Sequence, residues 1–183
     1  MKNSVLNVEL KPDSNNMEAE VIKEYLTKLD VKFIVHTHKA VYTCEEADKF
    51  CKDIPGIHSK NLFLKDNKDQ FYLVILPDSK KLEIKLLESL LSQKEVSKEK
   101  VQIKLKFASE EELNQILNVK PGSVSPLALI NDTESKVTLI IDEEVWSSDI
   151  VSFHPGINTE TLELTKEGFH NFVFSLSNKF LLI

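Results

Sequence analysis

Cysteine is scarce in this chain: of 183 residues, only Cys44 and Cys51 are cysteines. On a single helix they would stand about 10 Å apart along the axis, beyond the reach of a disulfide, so both read as reduced thiols of an intracellular protein. Long hydrophobic runs are missing as well. None reaches the roughly 18 residues needed to span a bilayer, and the N-terminus lacks the charged-then-apolar pattern of an export signal. The expectation is a cytoplasmic protein with no membrane partner. A basic excess is also absent. The net charge of −6 argues against a protein that grips long stretches of nucleic acid, but it leaves room for a local basic pocket. Lys60, Lys65, Lys80, Lys81 and Lys85 are its candidates, although each alone reads as an ordinary solvated lysine.

The common catalytic signatures are missing too. There is no GxGxxG or Walker A pattern to cradle a nucleotide phosphate, no HExxH, and no GxSxG elbow. His36 and His38 lie two apart, hence on one face of a strand, with Cys44 nearby. No further ligand set accompanies them, so they read as a partly exposed pair, and neither a metal nor a cofactor is expected. A Ser–His–Asp triad need not be contiguous in sequence, but nothing positively indicates one.

What is present is a globular pattern, 42% hydrophobic and 28% charged, long enough for one domain with a core. Residues 1–16 read as a flexible lead-in and 17–183 as a single domain. Ile22, Tyr25, Leu26 and Leu29 predict a helix over 17–29. Val31, Phe33 and Val35 predict a strand. Thr43-Cys44-Glu45-Glu46 has the form of a capping box opening a helix to about Cys51, which Pro55-Gly56 would break. Asn61–Leu64 and Phe71–Leu76 read as a hairpin turning at Asn67-Lys68-Asp69, the second strand apolar throughout and therefore central. A helix over 83–92, a strand at Ile103–Phe107, and a capped helix from Ser109 to Leu117 follow. Leu127–Ile130, Val137–Ile141, Ile150–Phe153 and Thr161–Leu164 read as strands, and Phe169, Phe172, Val173 and Leu176 as the stripe of a last helix. The apolar end, Phe180–Ile183, either packs on the domain or marks a cut from a longer protein. The fold class is α+β around a mixed sheet.

Polar residues gather where these elements begin and end. Lys60-Asn61 opens an apolar strand, where a lysine can hold an anion or have its pKa lowered for chemistry. Gly122-Ser123-Val124-Ser125-Pro126 is a loop of small residues whose amides could face a developing oxyanion. His154-Pro155 interrupts the chain after a strand. Individually, each reads more readily as a turn or a surface feature than as a catalytic group.

Taken together, these segments resemble the aminoacyl-tRNA editing domains of the YbaK/ProX type, and most closely the alanine-specific ProX branch. The resemblance rests on His58-Ser59-Lys60-Asn61-Leu62-Phe63-Leu64, on Gly122-Ser123-Val124-Ser125-Pro126 with Asn131-Asp132 after it, and on His154-Pro155 with Asn158-Thr159. It spans about 17–177. It implies a mixed, barrel-like β-sheet flanked by helices, and hydrolysis of the ester joining a wrong amino acid to tRNA, with alanine on proline tRNA as the expected substrate. By resemblance, Lys60 holds the terminal phosphate or ribose and Asn61 positions the same end. The amides of Gly122, Ser123, Val124 and Ser125 bind the carbonyl and its oxyanion. His154 limits the aminoacyl pocket, with Asn158 and Thr159 in support. Water is the nucleophile, activated partly by the substrate's own ribose hydroxyl. The implied partners are the tRNA acceptor end and a prolyl-tRNA synthetase or an elongation factor. The alternatives are the editing domain of a multidomain prolyl-tRNA synthetase, a Cys-tRNA(Pro) deacylase, and an inactive module that binds tRNA or a synthetase.

Overall fold

The computed structural model describes residues 14–40, 53–94 and 102–183. Both cysteines, and the helix expected to open at Thr43, lie outside them. In chain order the elements are helix α1 (Ser14–Lys28), strands β1 (Phe33–Thr37), β2 (Ser59–Asp66) and β3 (Phe71–Pro77), helix α2 (Ile84–Lys94), strand β4 (Leu105–Phe107), helix α3 (Glu110–Leu117), a 3-10 helix (Pro126–Asn131), strand β5 (Val137–Ile141), helix α4 (Glu143–Ser147), strands β6 (Ile150–Phe153) and β7 (Glu160–Thr165), helix α5 (Lys166–Ser175), and strand β8 (Phe180–Leu182). Among the described residues no helix is long and apolar enough to cross a membrane.

The strands form two sheets. One is three-stranded in the order β1-β7-β6, antiparallel throughout; the other is five-stranded in the order β4-β2-β3-β5-β8. In the larger sheet β2 pairs antiparallel with β4 and β3, while β3, β5 and β8 run parallel. The α+β class with a mixed sheet therefore holds, but the described strands make two open sheets and do not close into the barrel-like form implied above. The chain stitches the sheets together just before β2. Ile57 bridges Val151, its amide donates to the Ile150 carbonyl at 3.0 Å, and Ser152 Oγ donates to the Pro55 carbonyl at 2.9 Å. Gly56 makes this approach possible: its φ is +96°, and a Cβ there would lie 2.7 Å from the Ile150 carbonyl oxygen.

Successive side chains of a strand face opposite ways, and β2 shows the consequence. Phe63, with Leu73 and Ile75 of β3, belongs to the main core, which also takes in Ile22 and Leu26 of α1, Phe153 of β6 and Phe169 and Phe172 of α5. Leu64, with Tyr72, Val74 and Leu76, belongs to a second core covered by Leu87 and Leu91 of α2. Strand β3 is buried on both faces, as its unbroken apolar run requires. Fully burying each such side chain contributes about 1.5–3 kcal/mol.

One strand expectation needs correction. Leu127–Ile130 is not a strand but lies in the 3-10 helix, which Ser125 caps by accepting from the Leu127 amide, with Pro126 at its start; four buried apolar residues fill either element. The apolar end of the chain packs as β8 beside β5, with Phe180 stacked on Trp146 at 5.4 Å.

Candidate functional site

Asn61 and the glycine loop meet. From near the start of β2, Asn61 Nδ2 donates to the Val124 carbonyl at 3.0 Å, across 63 residues of chain. Its Oδ1 is buried and, among the described residues, accepts no hydrogen bond; Ser59 Oγ, two residues earlier on the same face, is in the same state. Buried polar atoms are nearly always paired, so two orphaned oxygens side by side are a specific feature of this place. The loop itself turns at Gly122, whose φ is +87°. The Ser123 amide is engaged by the Lys120 carbonyl at 3.0 Å, and the Ser125 hydroxyl caps the 3-10 helix. The amides of Val124 and Ser125 donate to nothing among the described residues.

Lys60 lies elsewhere. Strand alternation turns it away from Asn61, to the face of Leu62 and Leu64. Its Nζ donates to the Asp78 carbonyl at 2.9 Å, just past the end of β3. The structure does not place the Lys60 and Asn61 side chains on one wall.

His154 is held in a third place. Its Nδ1 lies 2.7 Å from the Glu160 carbonyl, and because a carbonyl only accepts, Nδ1 carries the proton and the neutral ring keeps its lone pair on Nε2. The His38 ring stands 5.6 Å away. His38 Nδ1 faces the Lys39 carbonyl at 2.8 Å, and its Nε2 lies 2.9 Å from the Thr161 hydroxyl. Burial pushes the His154 imidazole below its usual pKa; the bond to Glu160 opposes this, and His38 adds to the lowering. His36 pairs with Glu163 at 2.8 Å. Among the described residues no group of three His, Cys, Asp or Glu side chains is placed to hold a metal.

The glycine loop and the segment after His154 converge on a cavity of about 220 Å³. It is lined by Pro121 and Ser123 from the loop, Gly156, Ile157 and Asn158 from the segment, Glu18 of α1, Asn114 of α3, and Asn118 and Lys120 beyond it. Thr159 does not line it; its carbonyl accepts from the His38 amide at 2.9 Å. The residues that sequence reading did not give a site role are His38 as a neighbour of His154, Thr161, Ser59, Asn114 and Asn118. Ser59 fell outside the strand read from Asn61 to Leu64; β2 begins at Ser59 and so brings it to the face of Asn61.

The chain belongs to the aminoacyl-tRNA editing domain family, whose model matches residues 38–172. The prolyl-tRNA editing protein ProX of Acetoanaerobium sticklandii is 31% identical over 169 residues, covering 92% of this chain and 96% of that protein. The prolyl-tRNA synthetase associated domain-containing protein 1 of Danio rerio is 32% identical over 146 residues, covering 79% of this chain and 74% of that one. In fold, the chain superposes on a solved candidate trans-editing enzyme for prolyl tRNA synthetase with a TM-score of 0.67 at 15% identity, covering 93% of this chain and 97% of that one.

Proposed function

We propose that this protein hydrolyses the ester of a mischarged tRNA, with Ala-tRNA(Pro) as its substrate. The observation that carries the reading is the Asn61–Val124 clasp, which joins an Asn61 whose Oδ1 accepts no hydrogen bond to a loop whose Val124 and Ser125 amides donate none, among the described residues. Water adds to the aminoacyl carbonyl carbon, the carbonyl oxygen becomes an oxyanion, and the ribose oxygen leaves with a proton. The amides of Val124 and Ser125 are the oxyanion's donors, and removing one such donor typically slows a reaction about 10²–10³-fold. Gly122 and Ser123 shape the loop. Asn61 Oδ1 accepts from the ribose or the attacking water, while Lys60, on the other face, holds a phosphate of the incoming strand once released from Asp78. His154, neutral and fixed by Glu160, borders the aminoacyl group, with Asn158 and Thr159 shaping its loop.

The need for such an activity is physical. A synthetase pocket built for proline rejects the smaller alanine by only about 1–3 kcal/mol per missing methylene, so a second, size-limited site is required. The acidic balance of the chain fits modest affinity for free tRNA, with help from a prolyl-tRNA synthetase or an elongation factor.

The test is deacylation of Ala-tRNA(Pro), Cys-tRNA(Pro) and Pro-tRNA(Pro) side by side. Hydrolysis of the alanyl ester alone is expected. Preference for the cysteinyl ester would reassign the substrate, and tRNA binding without hydrolysis of any of the three would make this a binding module.

A further inference from the structure

The cavity beside the glycine loop is a poor home for the alanine side chain. At about 220 Å³ it is far larger than a methyl group, and its lining includes Glu18, Asn114, Asn118, Lys120, Ser123 and Asn158. A pocket that admits alanine by size has no use for so many polar groups, which would lose water without gaining partners. The cavity is also smaller than the roughly 300–1,000 Å³ of sites for drug-sized ligands.

Its chemistry is that of edge recognition. Asn118 ends α3 in the left-handed conformation, φ +52°, and its amide donates to the Asn114 carbonyl at 2.9 Å, which sets the two side chains one turn apart on the cavity's rim. Asn118 Nδ2 donates to Glu18 Oε1 at 3.0 Å, and that bond does not use its Oδ1. Among the described residues the Asn114 carboxamide forms no hydrogen bond. A carboxamide offers a donor and an acceptor side by side, the pattern that pairs with the edge of adenine and, by the same complementarity, of cytosine. Lys120, on the exposed side, supplies a point charge suited to a phosphate. The cavity takes Ser123 from the glycine loop and Asn158 from the segment after His154, so it borders the loop proposed to hold the ester.

We infer that this cavity binds one base of the single-stranded 3′ end of tRNA, read by Asn114 and Asn118 with the adjoining phosphate at Lys120. This deepens the deacylase reading and rests on it for the identity of the strand, but the experiment needs no ester. The probe is the uncharged RNA trinucleotide C-C-A, titrated against the full chain by NMR or fluorescence anisotropy, alongside three versions each lacking one base. The variants are Asn114→Ala, which suits an exposed helix position, and Asn118→Gly, which keeps the left-handed turn. Circular dichroism reports that each is folded. One base deletion and Asn114→Ala should each weaken binding by about 5- to 100-fold, and combined they should cost no more than either alone. Wild-type affinity in Asn114→Ala, or equal affinity for all base-deleted probes, would overturn the inference. Base-dependent binding with no deacylation would sink the hydrolase reading and leave this one standing.

Discussion

His154 shows how much chemistry a single side chain inherits from its surroundings. Its lowered pKa has a definite sign in stability. Above about pH 6.5, the ordinary imidazole value, folded and unfolded rings are both neutral and the protein has its full stability. As pH falls below that, the unfolded ring gains a proton that the buried ring resists, and stability drops until pH passes the folded-state pKa. Melting temperatures measured from about pH 8 down to pH 5 should therefore fall more steeply in the wild type than in His154→Gln; parallel curves would show that burial does not hold the ring neutral. His154→Ala should loosen discrimination among the alanyl, cysteinyl and prolyl esters. Lys60→Ala tests a different residue: deacylation should be abolished in a protein that remains folded, because the Nζ–Asp78 bond is part-buried and to a backbone carbonyl only; near-normal rates would remove Lys60 from the mechanism. That Lys60 and Asn61 face opposite ways was legible in the sequence, since strand alternation demands it. The His38–Thr161–His154 arrangement was not, because it depends on β1 lying beside β7 in one register, Thr37 opposite Glu160, and nothing local encodes that pairing.

At the level of elements, two short devices hold the site in place. Helix α3, which carries Asn114 to the cavity, begins with a complete capping box: Ser109 Oγ accepts from the Glu112 amide, and the Glu112 carboxylate accepts from the Ser109 amide. Glu112 also accepts from Lys65 of β2, and Lys65 first and the Ser109 amide second bring the carboxyl down to about 2. Ser109→Ala should cost about 0.5–2 kcal/mol by denaturant unfolding. Glu112→Gln, which can still reach back to the cap, should be milder than Glu112→Ala; equal losses would mean that the ion pair and not the cap matters. Gly56 is the second device. A Cβ at Gly56 meets backbone at Ile150, so Gly56→Ala must part the two sheets at the point where β2 begins. A clear drop in melting temperature, accompanied by lost deacylation, is expected. The Ser109 box and the β2–β3 hairpin were readable because their signals are local. The Leu127–Ile130 segment misled because a short apolar run fits a strand or a buried turn of helix equally well, and the Ser125 cap with Pro126 decided it. Helix α4 was missed because five residues capped by Asp142 carry too little periodicity to register.

For the whole molecule, charge sets the terms of any encounter with nucleic acid. All 23 basic residues are lysine, against 29 acidic ones; without arginine the protein lacks the bidentate fork suited to gripping phosphates. Several of its lysines are already committed within the fold: Lys23 to Glu160 at 2.7 Å, Lys65 to Glu112, and Lys80 to Asp142 at 2.8 Å and Glu144 at 3.0 Å. A surface of this kind cannot neutralise a long run of phosphates, and the proposed contacts are confined to the acceptor end, at Lys60 and Lys120. Affinity for a single strand falls with salt at a logarithmic slope of about −0.7 per phosphate neutralised. Two or three contacts therefore predict a slope of about −1.4 to −2 for uncharged tRNA(Pro), against about −7 for a protein making ten. Lys120→Gln should reduce the magnitude by about 0.7, one phosphate's worth. A steep slope would mean that the tRNA body is gripped by a further surface, and a flat one would leave recognition to the base and the ester alone. A slope between these limits that Lys120→Gln does not alter would move the phosphate contact away from the cavity and onto the Lys60 face.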